Sequence, residues 1–132
     1  MKDLASMLAQ AVDIPTLLRN ANAVVNGAGA DLAGFNGASV QFTVGAWTDG
    51  SLACKIQDSP DNSVWTDVVA SQTIGGAAGA NLQTIAAANT VKEIGYMGSK
   101  RYLRGVITQS GATTGATYGS NLQLGYGTKP PV

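Results

Sequence analysis

Five carboxylates, Asp49, Asp58, Asp61, Asp67 and Glu93, are the side chains here best placed by type to do chemistry. Two of them facing each other across about 5 to 10 Å of cleft could act as acid and base on a glycosidic bond. Asp58, Asp61, Asn62 and Asp67, all within "DSPDNSVWTD", are also hard oxygen donors of the kind calcium takes. The EF-hand pattern, with ligands at alternate positions, Gly at the sixth and Glu at the twelfth, is absent. Asp49, Asp58 and Asp61 sit in or beside turns, where Asp is favoured because its side chain bonds the nearby backbone. The chain has no histidine and one cysteine, Cys54. That excludes Ser-His-Asp and Cys-His catalysis, an intrachain disulfide, and a cysteine-rich metal site. The expectation is a protein that is not an enzyme, with no cofactor and no metal.

The glycine-rich stretches lead to the same place. "GYMGSKR" and "GGAAGA" lack the spacing of a phosphate-binding loop, and the first leads into a strand instead of a helix. Turns and close packing account for these glycines. Trp47, Trp65, Tyr96, Tyr102, Tyr118 and Tyr126 could stack on bases or sugars, and Arg101 and Arg104 flank Tyr102. A nucleic-acid platform also needs a basic groove. Lys and Arg total 8 and Asp and Glu total 8, so no general attraction to nucleic acid or an anionic membrane is expected. The cations Lys100, Arg101 and Arg104 form only a local basic patch. No run approaches the roughly 18 apolar residues of a membrane helix.

The 132 residues fit one domain. Charged residues make up 12% and hydrophobic ones 45%. So few charges suit a chain that covers its surface with partners or is rich in tight turns.

The elements that must position these residues are strands. "SVQFTVGAW" alternates, with Val40, Phe42, Val44 and Ala46 on one face. "SLACKIQDS" alternates again, with Leu52, Cys54 and Ile56 inward, which makes Cys54 a core thiol. With "TDG" between them the two runs read as a β-hairpin. A turn led by Pro60, Asp61 and Asn62 runs into a short strand that should bury Trp65. "VKEIGYM", "RYLRGVITQ" and "TYGSNLQLGYG" supply three more strands. At the start, Leu4, Met7, Leu8, Ala11 and Val12 recur at helical spacing up to Pro15; the same residues could form an extended arm docked on a neighbour. Strands at regular intervals, Gly-rich turns and no strong helix predict an all-β antiparallel sandwich or barrel. The sandwich is expected over 31–132, with an N-terminal arm or short helix over 1–30.

The stretches "DLAGFNGASVQFTVGAWTDG", "KIQDSPDNSVWTDV" and "EIGYMGSKRYLRGVITQSGATTGATYG", closing with "LGYGTKPPV", resemble small virion structural proteins of tailed bacteriophages. The resemblance implies a head decoration (cement) protein: a jelly-roll-like sandwich added to the capsid exterior, binding the major capsid protein. It further implies a homo-oligomer, with a trimer favoured. A carbohydrate-binding or host-adhesion sandwich, or a tail or head-completion protein, is the alternative. Leu4, Leu8, Lys100, Arg101 and Arg104 are the expected capsid or subunit contacts. Arg101 and Arg104, three positions apart, should point to opposite faces of a regular strand, so one of them needs an acid such as Glu93, an interface, or the sandwich end.

Overall fold

The alternating runs fold into strands because each has one apolar face to bury. The computed structural model describes residues 8–33, 35–75 and 81–127. Their strands are β1 (Leu8–Arg19), β2 (Ala23–Asn26), β3 (Ala30–Asp31), β4 (Phe35–Trp47), β5 (Ser51–Ser59), β6 (Thr66–Asp67), β7 (Thr73–Ile74), β8 (Gln83–Ile85), β9 (Thr90–Tyr96), β10 (Tyr102–Ser110) and β11 (Ala116–Gly127). One 3-10 turn, Ala70–Gln72, precedes β7.

One sheet runs β1-β11-β4-β9-β7. The other runs β2-β10-β5-β6, with β3 also on β10 and β8 also on β5. Every pairing is antiparallel. The pairings nest: β1 with β11, β2 and β3 with β10, β4 with β9, and β5 with β6 and β8. A long hairpin rolled up in this way is a jelly roll. Val40, Phe42, Ile94, Tyr118 and Leu122 from the first sheet meet Leu52, Cys54, Ile56, Leu103 and Ile107 from the second, none more than 1% exposed. Burial pushes the Cys54 thiol up to about 12, as suits a packed core sulfur.

Three expectations change. Among the described residues, the segment before Asp31 is not an arm beside the sandwich. From Leu8 onward it is part of both sheets, with β1 on β11 and β2 and β3 on β10. Leu8 to Val12 therefore form strand, not helix. The helical spacing of their apolar residues gave way to a ladder with β11, and Ile14 beyond them enters the core at 1% exposure.

The two runs joined by "TDG" are not a hairpin. β4 and β5 lie in opposite sheets, and the connection arches across the sandwich. Alternation reveals a buried face but not which strand lies alongside. The arch is held by Asp49, whose carboxylate accepts the N–H groups of Thr113, Thr114 and Gly115 at 2.7–3.2 Å. Gly50 turns it with φ of 92°.

Ala46 is exposed instead of inward. Between the pairs Val44–Tyr118 and Trp47–Ala116, β4 carries one more residue than β11. This bulge exchanges faces and packs Trp47 against the core.

Buried Asp13, 2% exposed, ties these layers together. Its carboxylate accepts Gly105 N–H of β10 at 2.6 Å, Ser120 Oγ–H of β11 at 2.9 Å and Gly29 N–H at 3.1 Å. Asp13→Ala is expected to lower stability by at least about 2 kcal/mol, since it strands buried donors at about 1–3 kcal/mol each. A urea titration checks this, and a midpoint matching the unaltered chain would contradict the bridging role.

Candidate interaction site

Lys100 and Arg101 of the basic patch fold to one end of the sandwich, where the turn from β9 to β10 meets the β3–β4 connection. Leu32, Phe35, Ala38, Tyr96, Lys100 and Arg101 line a cleft of about 390 Å³ there. Lys100 Nζ lies 3.3 Å from Asp58 and donates to Thr66 Oγ1 at 3.0 Å. Tyr96 OH donates to Asp58 at 2.8 Å and accepts Lys100 N–H at 3.0 Å. Burial, and then its bond to Asp58, push the Tyr96 phenol up to about 12. Its hydroxyl thus stays protonated and fixed as a donor.

Arg101 precedes β10 and grips Asp31 with two bonds, Nε at 2.9 Å and Nη2 at 2.7 Å. The hydrogen bond from Arg101 draws the Asp31 carboxyl down to about 2. The guanidinium also lies 5.4 Å from the Tyr102 ring centre.

Arg104, on the outward face of β10, donates twice to Gln57 Oε1, at 3.0 and 2.6 Å. It stacks 4.4 Å above Trp65. Trp65 is therefore not the buried core residue expected; it is half-buried, folded over the outside of the second sheet. Its ring edge takes the space that a side chain at Gly29 would need, and Gly29 holds φ of 83°.

Each of the three expected cations thus has a partner within the chain. The partner acids are Asp31 and Asp58, not Glu93, which instead accepts a bond from Gln41 at 3.1 Å. An anion entering the cleft must compete with both. Of the two other expected contacts, Leu8 opens β1 opposite Gly125, and Leu4 lies outside the described residues. The oxygen donors considered for calcium serve separate purposes. Asp58 holds Lys100 and Tyr96, Asp67 pairs with Lys55 at 3.0 Å, and Asp61 caps the N–H groups of Ser63 and Val64 in its own turn. The described aromatics considered as sugar platforms are also engaged; the side chain of Tyr126 lies outside the described residues. Tyr118 is buried with its OH on Gln109, Trp47 bonds Gly50 O, and Arg104 covers a face of Trp65.

The sequence reading missed a second surface. Register across the first sheet aligns Val12, Asn121, Gln41 and Glu93 in one outward row and Gln10, Gln123, Ser39, Gly95 and Ile74 in the next. Glu93 is the one formal charge in these two rows. The outward face of the second sheet carries Lys55, Asp67 and Arg104 instead. The sandwich therefore has a charged side and an amide-rich, nearly uncharged side.

No family model and no curated protein matches the chain. Among solved structures it is similar to the PBSX exported protein XepA, with a TM-score of 0.55 and 18% identity. The match covers 100% of this chain and 41% of that one, so the chain spans less than half of XepA. It is also similar to the SPBc2 prophage-derived protein YomS, with a TM-score of 0.44 and 15% identity over 89% of this chain and 94% of that one. The likeness to XepA is one of fold.

Two outcomes test this end of the molecule. The bond to Arg101 lowers the Asp31 pKa, so its contribution is complete above the unfolded value near 3.8 and is lost as pH falls toward about 2. Asp31→Asn should flatten the loss of melting temperature over that window, and an unchanged slope would show the pair to be silent. Trp65→Ala should cost only about 1 to 2 kcal/mol, the sum of partial burial and one exposed cation–π contact. A chemical denaturation midpoint gives the value, and a loss typical of a core aromatic would contradict the half-buried placement.

Proposed function

We propose that this chain is a structural protein of a tailed-phage particle, a decoration protein that binds the outside of the assembled head. The observation that carries the reading is the asymmetry of the jelly roll. One broad sheet face offers small side chains and neutral amides, with Val12 (65%) and Ile74 (58%) exposed at its margins. Such a face can be covered by protein without stripping water from charges, the costly part of burying polar surface. Support also comes from the sequence resemblance to phage virion proteins and from the fold shared with the PBSX exported protein XepA.

The mechanism is mass action. A protein that binds the intact shell, and not its separated parts, shifts the balance away from rupture. Bridging neighbouring capsomers raises the effective affinity of each copy. The paired cations at the cleft contribute by fixing the β9–β10 turn, and the flat sheet makes the contact.

Purified protein added to undecorated heads should bind to saturation and raise the temperature of genome release. Asn121→Lys, an exposed change on the neutral face, should cut occupancy at least tenfold, while Arg101→Glu should leave it nearly unchanged. Loss with Arg101→Glu alone would move the contact to the basic end. Binding to tails or glycans without binding to heads would overturn the reading.

A further inference from the structure

β1 is the terminal strand of its sheet, and its two halves are treated differently. In the second half, Pro15 has no N–H to offer, and the Arg19 guanidinium folds back to donate to Pro15 O at 2.8 Å and Leu17 O at 3.3 Å. In the middle, Asp13 O accepts Ala28 N–H at 3.1 Å, and the ladder to β11 shifts register between Val12 and Ile14. These are the means by which proteins close a sheet edge: proline, a cation and a bulge. The first half, Leu8 to Val12, has none of them. It pairs in unbroken register with Gly125 to Asn121, carries no charge, and no other described strand lies along its far side. Alternate residues of an edge strand turn their N–H and C=O groups away from the sheet, where they require a partner or water.

The sequence of that half identifies the partner. Leu-Ala-Gln-Ala-Val reads nearly the same from either end about Gln10. We propose that Leu8–Val12 pairs antiparallel with the same segment of a second copy, across a two-fold axis at Gln10. Leu8 then stands opposite the other copy's Val12, Ala9 opposite Ala11, and Gln10 opposite itself. Apolar meets apolar, small meets small, and two neutral amides can each donate and accept. No like charges oppose each other, which is what a self-complementary contact demands. The result is a dimer in which two five-stranded sheets form one, with their neutral faces continuous. A two-fold pairing gives a dimer, in place of the trimer expected from the resemblance. This inference stands apart from the decoration reading: a dimer that ignores phage heads leaves it intact.

Gln10 is exposed, so a charge there leaves the single chain undisturbed. Sedimentation equilibrium of the full chain over a concentration series should approach twice the 13.4 kDa chain mass. Gln10→Lys and Gln10→Glu should each weaken self-association at least tenfold, by setting like charges against each other, with melting temperatures unchanged at concentrations too low for association. An equimolar mixture of the two variants should recover a mixed dimer tighter than either forms alone. A wild-type chain that stays monomeric throughout overturns the pairing. So does a dimer indifferent to both substitutions, or a mixture that does not associate.

Discussion

The jelly roll depends on a carboxylate held where water cannot reach it. Burial raises the pKa of Asp13, and the N–H groups of Gly29 and Gly105, the Ser120 hydroxyl and the nearby Arg104 charge pull it back down. Burial is the largest of these effects, so ionisation of Asp13 opposes folding. Its favourable contribution is complete below the unfolded pKa and is lost as pH rises through the folded one. Without these donors the buried charge would not be tolerated. They come from β10, from β11 and from the connection after β2, so satisfying one side chain fixes β1 against both sheets. The requirement extends to Gly105, where a Cβ would lie 2.9 Å from the Asp13 carboxylate. Glycine in the middle of β10 is a poor strand former, kept because the backbone must approach this closely.

At the other end, Asp49 ties two arches with the opposite electrostatics. Its acceptor oxygens face three backbone donors in the open, and those bonds lower its pKa. The ionised form is therefore the one the fold prefers, and its contribution fades as pH falls below the unfolded value. The two aspartates respond to acid in opposite senses because burial outweighs hydrogen bonding at Asp13 and hydrogen bonding outweighs burial at Asp49.

Much of this was legible in the sequence, and the gaps have physical causes. The inward faces of β4 and β5 follow from alternation, and Val40, Phe42, Val44, Leu52, Cys54 and Ile56 are all buried. The sandwich class follows from strand spacing and glycine-rich turns. The partner of each strand does not, because period-two alternation is the same in a hairpin and in an arch between sheets. Nor does the face of Ala46, since the bulge arises from pairing with β11. The helical spacing of Leu8, Ala11 and Val12 does not separate a helix from an extended segment, and their place in the sheet is set by pairing with β11. Within the basic patch, the cations were visible but their acids were not. Arg101 and Asp31 are seventy positions apart in the chain, and only the β3–β10 pairing brings them together. The neutral face left no local mark at all: its rows are assembled from β1, β4, β7, β9 and β11 and exist only through register.

Segregation of charge between the two outer faces links the fold to the proposed function. Each strand gives one face to the core, so the roll has only two broad surfaces left to display. On the second sheet, ion pairs and the Arg104–Trp65 stack are arranged for solvent, where such contacts are worth little and cost little. On the first, glutamines, an asparagine, serine and glycine keep the surface flat and free of fixed charge, with one glutamate at its side. A neutral amide pays less for dehydration than an ion and can bond in either sense, so the face does not demand a partner of opposite charge. It demands a partner of matching shape that returns its hydrogen bonds. Under the proposed decoration role, a regular lattice meets that demand many times over, and a surface without fixed charge gains its hold from presentation in multiple copies.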